Sequence, residues 1–307
     1  MAENITILDS NESIFFLREL EYVKAKSYDT KQKYLKATNL IPVDISGNPG
    51  AKTITYKKYT KIGIAKIIND YADDSPRVDV YGEETTIKVY RIGDSYGYDR
   101  DEIRASMIAG KSLDQKRANA AKRASDEKIN SIALSGESAY GINGLINYPG
   151  ISEYSTPNGG AGTPQFSTKT PDEIIDDLNG IVTVVINSTN GVEMPDTLLL
   201  PINQWRLIST KRMTGNSDET ILSFFLKTNG IIKNVEWLTE LSGAGASSSD
   251  RMLVYPKDPD HLTLDIPLPY TTLPPQQRGY GFLVLTETKT AGVIIYYPLS
   301  VAFADHI

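Results

Sequence analysis

The chain of 307 residues contains no cysteine. That excludes disulfides, thiolate metal sites and cysteine nucleophiles together. Histidine is almost as scarce: His261 and His306 are the two present. Neither has a second histidine or a cysteine nearby, so each is expected to be a packed or surface side chain and not a metal ligand. No apolar run approaches the ~18 residues of a membrane-spanning helix. The longest, Val293–Tyr297, is strand-sized and meets Pro298 before Leu299. The opening MAENITILDS lacks the basic start and apolar core of a secretory signal, so a soluble, intracellularly made protein is expected. Basic excess is missing as well: 32 Lys+Arg stand against 38 Asp+Glu, a formal charge of −6. A protein that grips duplex DNA needs the opposite balance to release counterions. This one could surround DNA without condensing it.

Motifs that suggest chemistry are incomplete. Gly110-Lys111-Ser112 resembles the end of a phosphate-binding loop, but the glycine required five residues earlier is Ala105. A helix break followed by a cap explains it. Gly159–Gly162 is followed by Pro164 and polar residues, not by the helix a dinucleotide fingerprint requires. Asp73-Asp74 reads as a turn, and Asp99, Asp101 and Glu102 read as helix-start acids. The carboxylate pairs Asp176-Asp177 and Asp258/Asp260 keep a β-rich hydrolase as a remote alternative. The expectation is therefore no enzyme, no catalytic residue, no metal and no cofactor.

What is present is an ordinary globular composition, 40% hydrophobic and 23% charged, in a length that suggests about two domains. Asp9 and Glu12 form a capping box opening a short arm helix with Ile14, Leu17, Leu20 and Tyr22 as its stripe. Residues 47–92 read as a long β excursion. Ile54 and Tyr56 alternate with polar residues on the way out, and Thr85, Ile87 and Val89 do so on the return, with a tip around Tyr71–Arg77. Its tyrosines are suited to an interface. Leu113–Leu134 is predicted as a helix of about 33 Å. Its narrow stripe is Ala118, Ala121, Ser125, Ile129 and Ile132, small at one end, with Lys116, Arg123 and Glu127 opposite. Thr170-Pro171-Asp172-Glu173 is a complete helix start, followed by the apolar stripe Ile174, Ile175, Leu178, Ile181, Val182, Val185. A helix is expected from Asn216 and Glu219 to about Thr228, and a strand over Ile231–Leu241. From Asp250 onward short strands (Met252–Tyr255, Leu262–Ile266, Phe282–Thr286, Val293–Tyr297) alternate with Pro- and Gly-rich breaks. Strands, then helices, then strands make an α+β fold.

Several segments, in this order, resemble the tailed-bacteriophage major capsid proteins of the Hong Kong phage capsid fold. They are FFLRELEYVKAKSYDTK with LIPVD (Phe15–Asp44), IGIAKIINDYADDSPRVDV (Ile62–Val80) and the run Ser95–Ile151. PDTLLLP (Pro195–Pro201) follows, and then the C-terminal block with DRMLVYPKDPDHLTLDIPLPY and LPPQQRG. The resemblance implies an N-terminal arm at 1–46 and an extended hairpin loop at 47–92. It implies a peripheral domain from 93–140 and 256–307 with spine helix 113–134, and an axial domain at 141–255. Contacts between subunits are expected at Tyr56, Tyr59, Tyr71, Asp73, Asp74, Pro76, Arg77 and Tyr81. The implied function is a major capsid protein assembling as hexamers and pentamers into an icosahedral phage head around double-stranded DNA. It would be built in the host cytoplasm and located in the virion, with no membrane and no sequence-specific DNA contact. Separate scaffolding, portal and decoration proteins are candidate partners; with the arm starting at Met1, a scaffolding segment is expected to be absent, separate or already removed. The closest alternative is an encapsulin-type compartment shell of the same fold.

Overall fold

The computed structural model describes residues 32–63, 77–109, 114–215 and 218–307. The expected arm helix after Asp9, Tyr71 with Asp73, Asp74 and Pro76, and Gly110–Ser112 lie outside the described residues. A one-turn helix, α1 (Ala37–Leu40), leads to β1 (Val43–Asp44). The outgoing and returning strands of the β excursion, β2 (Thr53–Ile62) and β3 (Asp79–Lys88), pair antiparallel in unbroken register from Thr53↔Lys88 to Ile62↔Asp79. Then come β4 (Tyr90–Asp99), α2 (Arg100–Ala109), the spine helix α3 (Asp114–Ser135), β5 (Ser152–Glu153), α4 (Pro171–Ser188) and β6 (Thr197–Leu200). They are followed by α5 (Ile202–Thr210), α6 (Ile221–Thr228), β7 (Asn234–Trp237) and β8 (Arg251–Tyr255). The chain closes with β9 (Leu262–Asp265), β10 (Leu268–Thr272), β11 (Gln276–Arg278), β12 (Gly281–Thr290), β13 (Gly292–Ile295) and β14 (Ala302–Asp305).

The central sheet has the order β5-β14-β8-β6-β7. Its strands β6 and β8 read as apolar runs because both faces are covered, and alternate residues enter two different cores. Leu198, Leu200, Met252, Val254, Ala302 and Ala304 pack with Ile174, Leu178, Ile181, Val182 and Val185 of α4 and Phe225 of α6. Leu199, Leu253 and Tyr255 face the other way. They meet Ala133 and Leu134 of the spine helix, Leu40 and Ile41, Leu262 and Leu264 of β9, and Val293 and Ile295 of β13. The last strand leaves the strands just before it in sequence. The segment Ala302–Asp305 pairs with β8 and β5, inside a sheet otherwise drawn from 141–255. Its alternating alanines, Ala302 and Ala304, join the core on the α4 side.

Two further sheets carry the remaining strands. β12 is paired along its whole length by β4 on one side, and by β10 and β11 on the other. β9 lies between β1 and β13. The spine helix packs against β4, β12 and β13, burying Ala121, Ser125, Ile129 and Ile132 as its stripe predicts. Its 22 residues end at Gly136 in the left-handed region (φ 73°), where an added Cβ would lie 2.4 Å from Ile142 O. Only glycine fits that reversal.

Local chemistry explains the helix starts. At α4, Thr170 Oγ1 accepts from Glu173 N (3.4 Å) while the Glu173 carboxylate accepts from Thr170 N (2.7 Å) and Gly160 N (2.7 Å). These backbone donors hold the Glu173 carboxyl below its ordinary range. α6 begins later than Asn216 and Glu219 suggest. Thr220 and Ser223 cap one another reciprocally, so Ile221 is its first residue. The Ile231–Leu241 strand shrinks to β7, since Thr239–Leu241 forms a turn of 3₁₀ helix. α1 is capped from outside: Asn130 Oδ1 on the spine helix accepts from Lys36 N (3.2 Å) and Ala37 N (3.0 Å).

Beneath α4, Lys169 Nζ lies 2.5 Å from Asp177 Oδ2, both side chains 1% exposed. Tyr154 Oη donates to Asp177 Oδ1 at 3.3 Å. Burial pushes the Asp177 carboxyl up, against the hydrogen bonds from Lys169 and Tyr154. Removing one partner strands the other charge in the core. Lys169→Met is expected to cost about 3–5 kcal/mol of unfolding free energy by urea titration, and the double change Lys169→Met/Asp177→Leu markedly less.

Candidate functional site

The hairpin β2–β3 is the element least explained by its own chain. Side chains alternate between its faces, but only the root of one face meets the body. Ile54, Tyr56 and Lys58 are half-buried, whereas Tyr59 to Ile62 and Asp79 to Glu84 are exposed. Tyr56 stands edge-on to Tyr296 with ring centroids 5.0 Å apart. Lys58 Nζ sits 5.2 Å from the Tyr297 ring centroid. The ribbon also holds itself, through the Thr55–Thr86 hydroxyl contact (2.9 Å), the Lys57–Glu84 ion pair (2.7 Å) and, further out, the Tyr59 ring over Gly82. Ile62 and Tyr81 on one face, and Tyr59 and Val80 on the other, are more than half exposed. A two-stranded ribbon with apolar side chains bare on both faces is marginal in water.

Of the expected contact residues, Tyr59, Tyr81 and Arg77 are exposed on or beside this ribbon, while Tyr56 is turned to its own body. Tyr71, Asp73, Asp74 and Pro76 lie outside the described residues. Other tyrosines of the excursion are also engaged within the chain. Tyr90 Oη donates to Tyr140 O (2.7 Å), and the Tyr96 and Tyr98 rings meet edge-on at 5.8 Å. Beside the hairpin root, a cleft of about 410 Å³ lies between β4, the spine helix and the Tyr140 turn, with Arg91, Asp94, Lys128 and Glu137 on its walls.

The acidic groups have structural roles. Asp99 Oδ1 accepts from Arg100 N, and Glu102 reaches back to Asp99 N while holding the Arg117 guanidinium with both oxygens at 2.9 Å. Arg117 keeps the Glu102 carboxyl below its ordinary range. Asp177 is neutralised by Lys169, and Asp258 Oδ1 closes a local turn by accepting from Asp260 N (3.0 Å). Among the described residues no group of three or more His, Asp or Glu is placed to hold a metal. His261 Nε2 pairs with Glu193 (2.5 Å), and its ring stacks at a tilt on Tyr297.

Long-range clamps escaped the sequence. Arg251 grips both oxygens of Asp305 (2.7 and 2.8 Å) and donates to Ile146 O, while Asp305 also accepts from Ala246 N. Burial pushes the Asp305 carboxyl up, but these donors outweigh it and hold it low. Lys36 Nζ sits 3.4 Å from the Trp237 ring centroid and donates to Trp237 O. Tyr255 Oη donates to Leu40 O.

A sheet closed over two cores, a spine helix and a bare hairpin are the features that the comparisons match to known proteins. The family model described as "Major capsid protein" matches residues 63–307. The chain belongs to that family, as a shell-forming structural protein of the virion. The capsid of Myoviridae phage XM1 is similar at 17% identity and TM-score 0.79, covering 99% of this chain and 100% of that one. The capsid of an empty GTA particle shares 9% identity at TM-score 0.66, with 97% and 99% covered. A virus-like particle from Pyrococcus furiosus shares 13% identity at TM-score 0.51, with 89% and 92% covered. No curated protein matches significantly in sequence. The phage reading is thereby favoured over the compartment shell.

The bare ribbon makes a simple stability prediction. Tyr59→Ser and Tyr81→Ser are expected to leave the unfolding free energy of the unassembled chain within about 0.5 kcal/mol of the parent. Tyr56→Ala, which removes the ring against Tyr296, is expected to cost more than the aromatic-pair increment of about 0.5–1.5 kcal/mol alone. Chemical denaturation of the three variants side by side measures this.

Proposed function

We propose that the chain is the building block of an icosahedral phage head, arranged as hexameric and pentameric capsomers around double-stranded DNA. The observation that carries this reading is the hairpin, whose outer half exposes Tyr59, Ile62, Val80 and Tyr81 without cover from its own chain. A neighbouring subunit would supply that cover. In this reading residues 1–46 act as an arm, 47–92 as the extended loop lying on a neighbour, 93–140 with most of 256–307 as the peripheral domain, and 141–255 with the last strand as the axial domain. Obligate interfaces bury roughly 2,000–5,000 Å², an area that exchanged arms and loops are suited to provide. The net charge of −6 suits a wall that encloses DNA without sequence-specific binding. The reading includes no catalytic step or cofactor. It places assembly in the host cytoplasm, with Arg77, Tyr71, Asp73, Asp74 and Pro76 at the loop's contact surface and with separate scaffolding, portal and decoration proteins as partners.

Tyr59→Asp/Tyr81→Asp puts charge on both faces of the ribbon. The variant is expected to keep the circular dichroism of the parent while particles disappear from electron micrographs and light scattering. Normal particles from this variant, or a parent chain that stays monomeric in every assembly condition and is absent from particles of its source, would overturn the reading.

A further inference from the structure

A buried carboxylate lies beneath the hairpin root. Asp265, the last residue of β9, is 5% exposed. Its side chain accepts from Thr263 Oγ1 at 2.8 Å, and among the described residues no Lys or Arg pairs with it. A group of the same sign stands beside it: Asp44 is opposite it in the β1–β9 register. Thr263 Oγ1 also lies 3.0 Å from Tyr296 Oη, and Tyr296 is the residue whose ring meets Tyr56 of the hairpin. Three contacts thus connect a buried acid to the extended ribbon.

A threonine hydroxyl has one proton. An ionised carboxylate can only accept, so Thr263 donates to Asp265 and presents its lone pairs to the Tyr296 O–H. The order of donors is fixed, and the first bond is charge-assisted, roughly twice as strong as a neutral one. A protonated Asp265 can itself donate. The order is then no longer imposed, and the charge that polarised Thr263 is gone.

We propose that Asp265 is a proton-operated latch on the hairpin: ionised, it fixes Tyr296 and through it Tyr56, and protonated it releases the hairpin root. The other titratable or charged groups at this junction are Asp44 from β1, Tyr56 and Lys58 from β2, Tyr148 from the loop after the spine helix, and Tyr296 itself. His261 lies at the start of β9 but is engaged by Glu193. Burial raises the Asp265 carboxyl above its ordinary range; Thr263 offsets part of this, and Asp44 adds to it. A raised carboxylate disfavours the folded state once ionised. Its cost is absent below the ordinary carboxylate range and grows as pH rises through the folded pKa. The charged latch is therefore held at a cost, and mild acid relieves it.

The absence of native cysteine allows a single spin label on the exposed hairpin position Thr60→Cys in the full-length chain. Light scattering fixes the assembly state and circular dichroism the fold at each pH. As pH falls from neutral to about 4, the label is expected to pass from slow to fast motion in one titration step. Asp265→Asn, which keeps an acceptor for Thr263 but cannot titrate, is expected to lose the pH step, with the same label motion at every pH, and to show greater unfolding stability at neutral pH, the gain closing in acid. Thr263→Val breaks the relay with the carboxylate retained and is expected to be fast throughout. Glu193→Gln is expected to keep the step. A folded parent with pH-independent label motion, or the parent's step surviving in Asp265→Asn or Thr263→Val, would overturn the latch. Loss of the step in Glu193→Gln would overturn it in favour of His261. The latch is internal to one chain, so its failure and the failure of the shell reading are separate results.

Discussion

The central sheet β5-β14-β8-β6-β7 has no solvent face over its middle strands, and most of the fold follows from covering both sides. Alternation along β6 and β8 sends every second residue to each core. One side is satisfied by α4 and α6, which come from the same stretch of chain. The other must be satisfied by elements far away in sequence: the segment around Leu40 and Ile41, the C-terminal half of the spine helix, and β9 with β13. Tyr255 shows how complete that closure is. It is fully buried, and its hydroxyl reaches Leu40 O across 215 residues of sequence. Burial, with the charges of Asp196 and Glu236 adding to it, raises the Tyr255 phenol far above its ordinary range, so its hydroxyl keeps its proton and acts as a donor there.

Much of this architecture was legible because its causes are local. The Thr170–Glu173 box, the small-to-bulky stripe of the spine helix and the alternation of Thr53–Ile62 against Asp79–Lys88 are set by residues within a few positions of one another or by a simple period. The order of family-like segments supplied the overall arrangement. What stayed hidden depends on sequence separation. Arg251–Asp305 spans 54 residues, Asn130–Ala37 spans 93 and Lys36–Trp237 spans 201. Nothing near Asn130 distinguishes it from any polar residue of a helix. The sheet that Ala302–Asp305 joins stayed hidden for a related reason. Four residues with two alanines carry no period strong enough to choose between sheets, and tertiary cover decided it. Asp265 could have been noticed: an acid inside the apolar run Leu262–Ile266 is out of place in a buried strand.

Rigidity is distributed unevenly as a consequence. The two cores and their clamps make the body a closed unit, with buried ion pairs at Lys169–Asp177 and Arg251–Asp305 and Asp265 as a buried carboxylate held by a hydroxyl. The hairpin has nothing comparable. Among the described residues, its ring contacts with the body are the Tyr56 edge on Tyr296 and Lys58 over Tyr297. Such contacts contribute about 0.5–1.5 and about 0.5–1 kcal/mol at exposed sites.

That imbalance bears on how a shell can be built from one sequence. A subunit that occupies both six-fold and five-fold positions must present the same body at different angles to its neighbours. A hairpin welded to the body would fit one of those angles and strain at the other. A hairpin held by one or two kcal/mol can be redirected by any neighbouring surface that buries Tyr59, Ile62, Val80 and Tyr81, because covering even two such side chains is worth more than the contacts that orient it. The weak root is therefore not a defect of an otherwise well-packed fold. In the proposed shell it would leave the choice of hairpin direction to the neighbour, while the sheet and its two cores keep the body unchanged.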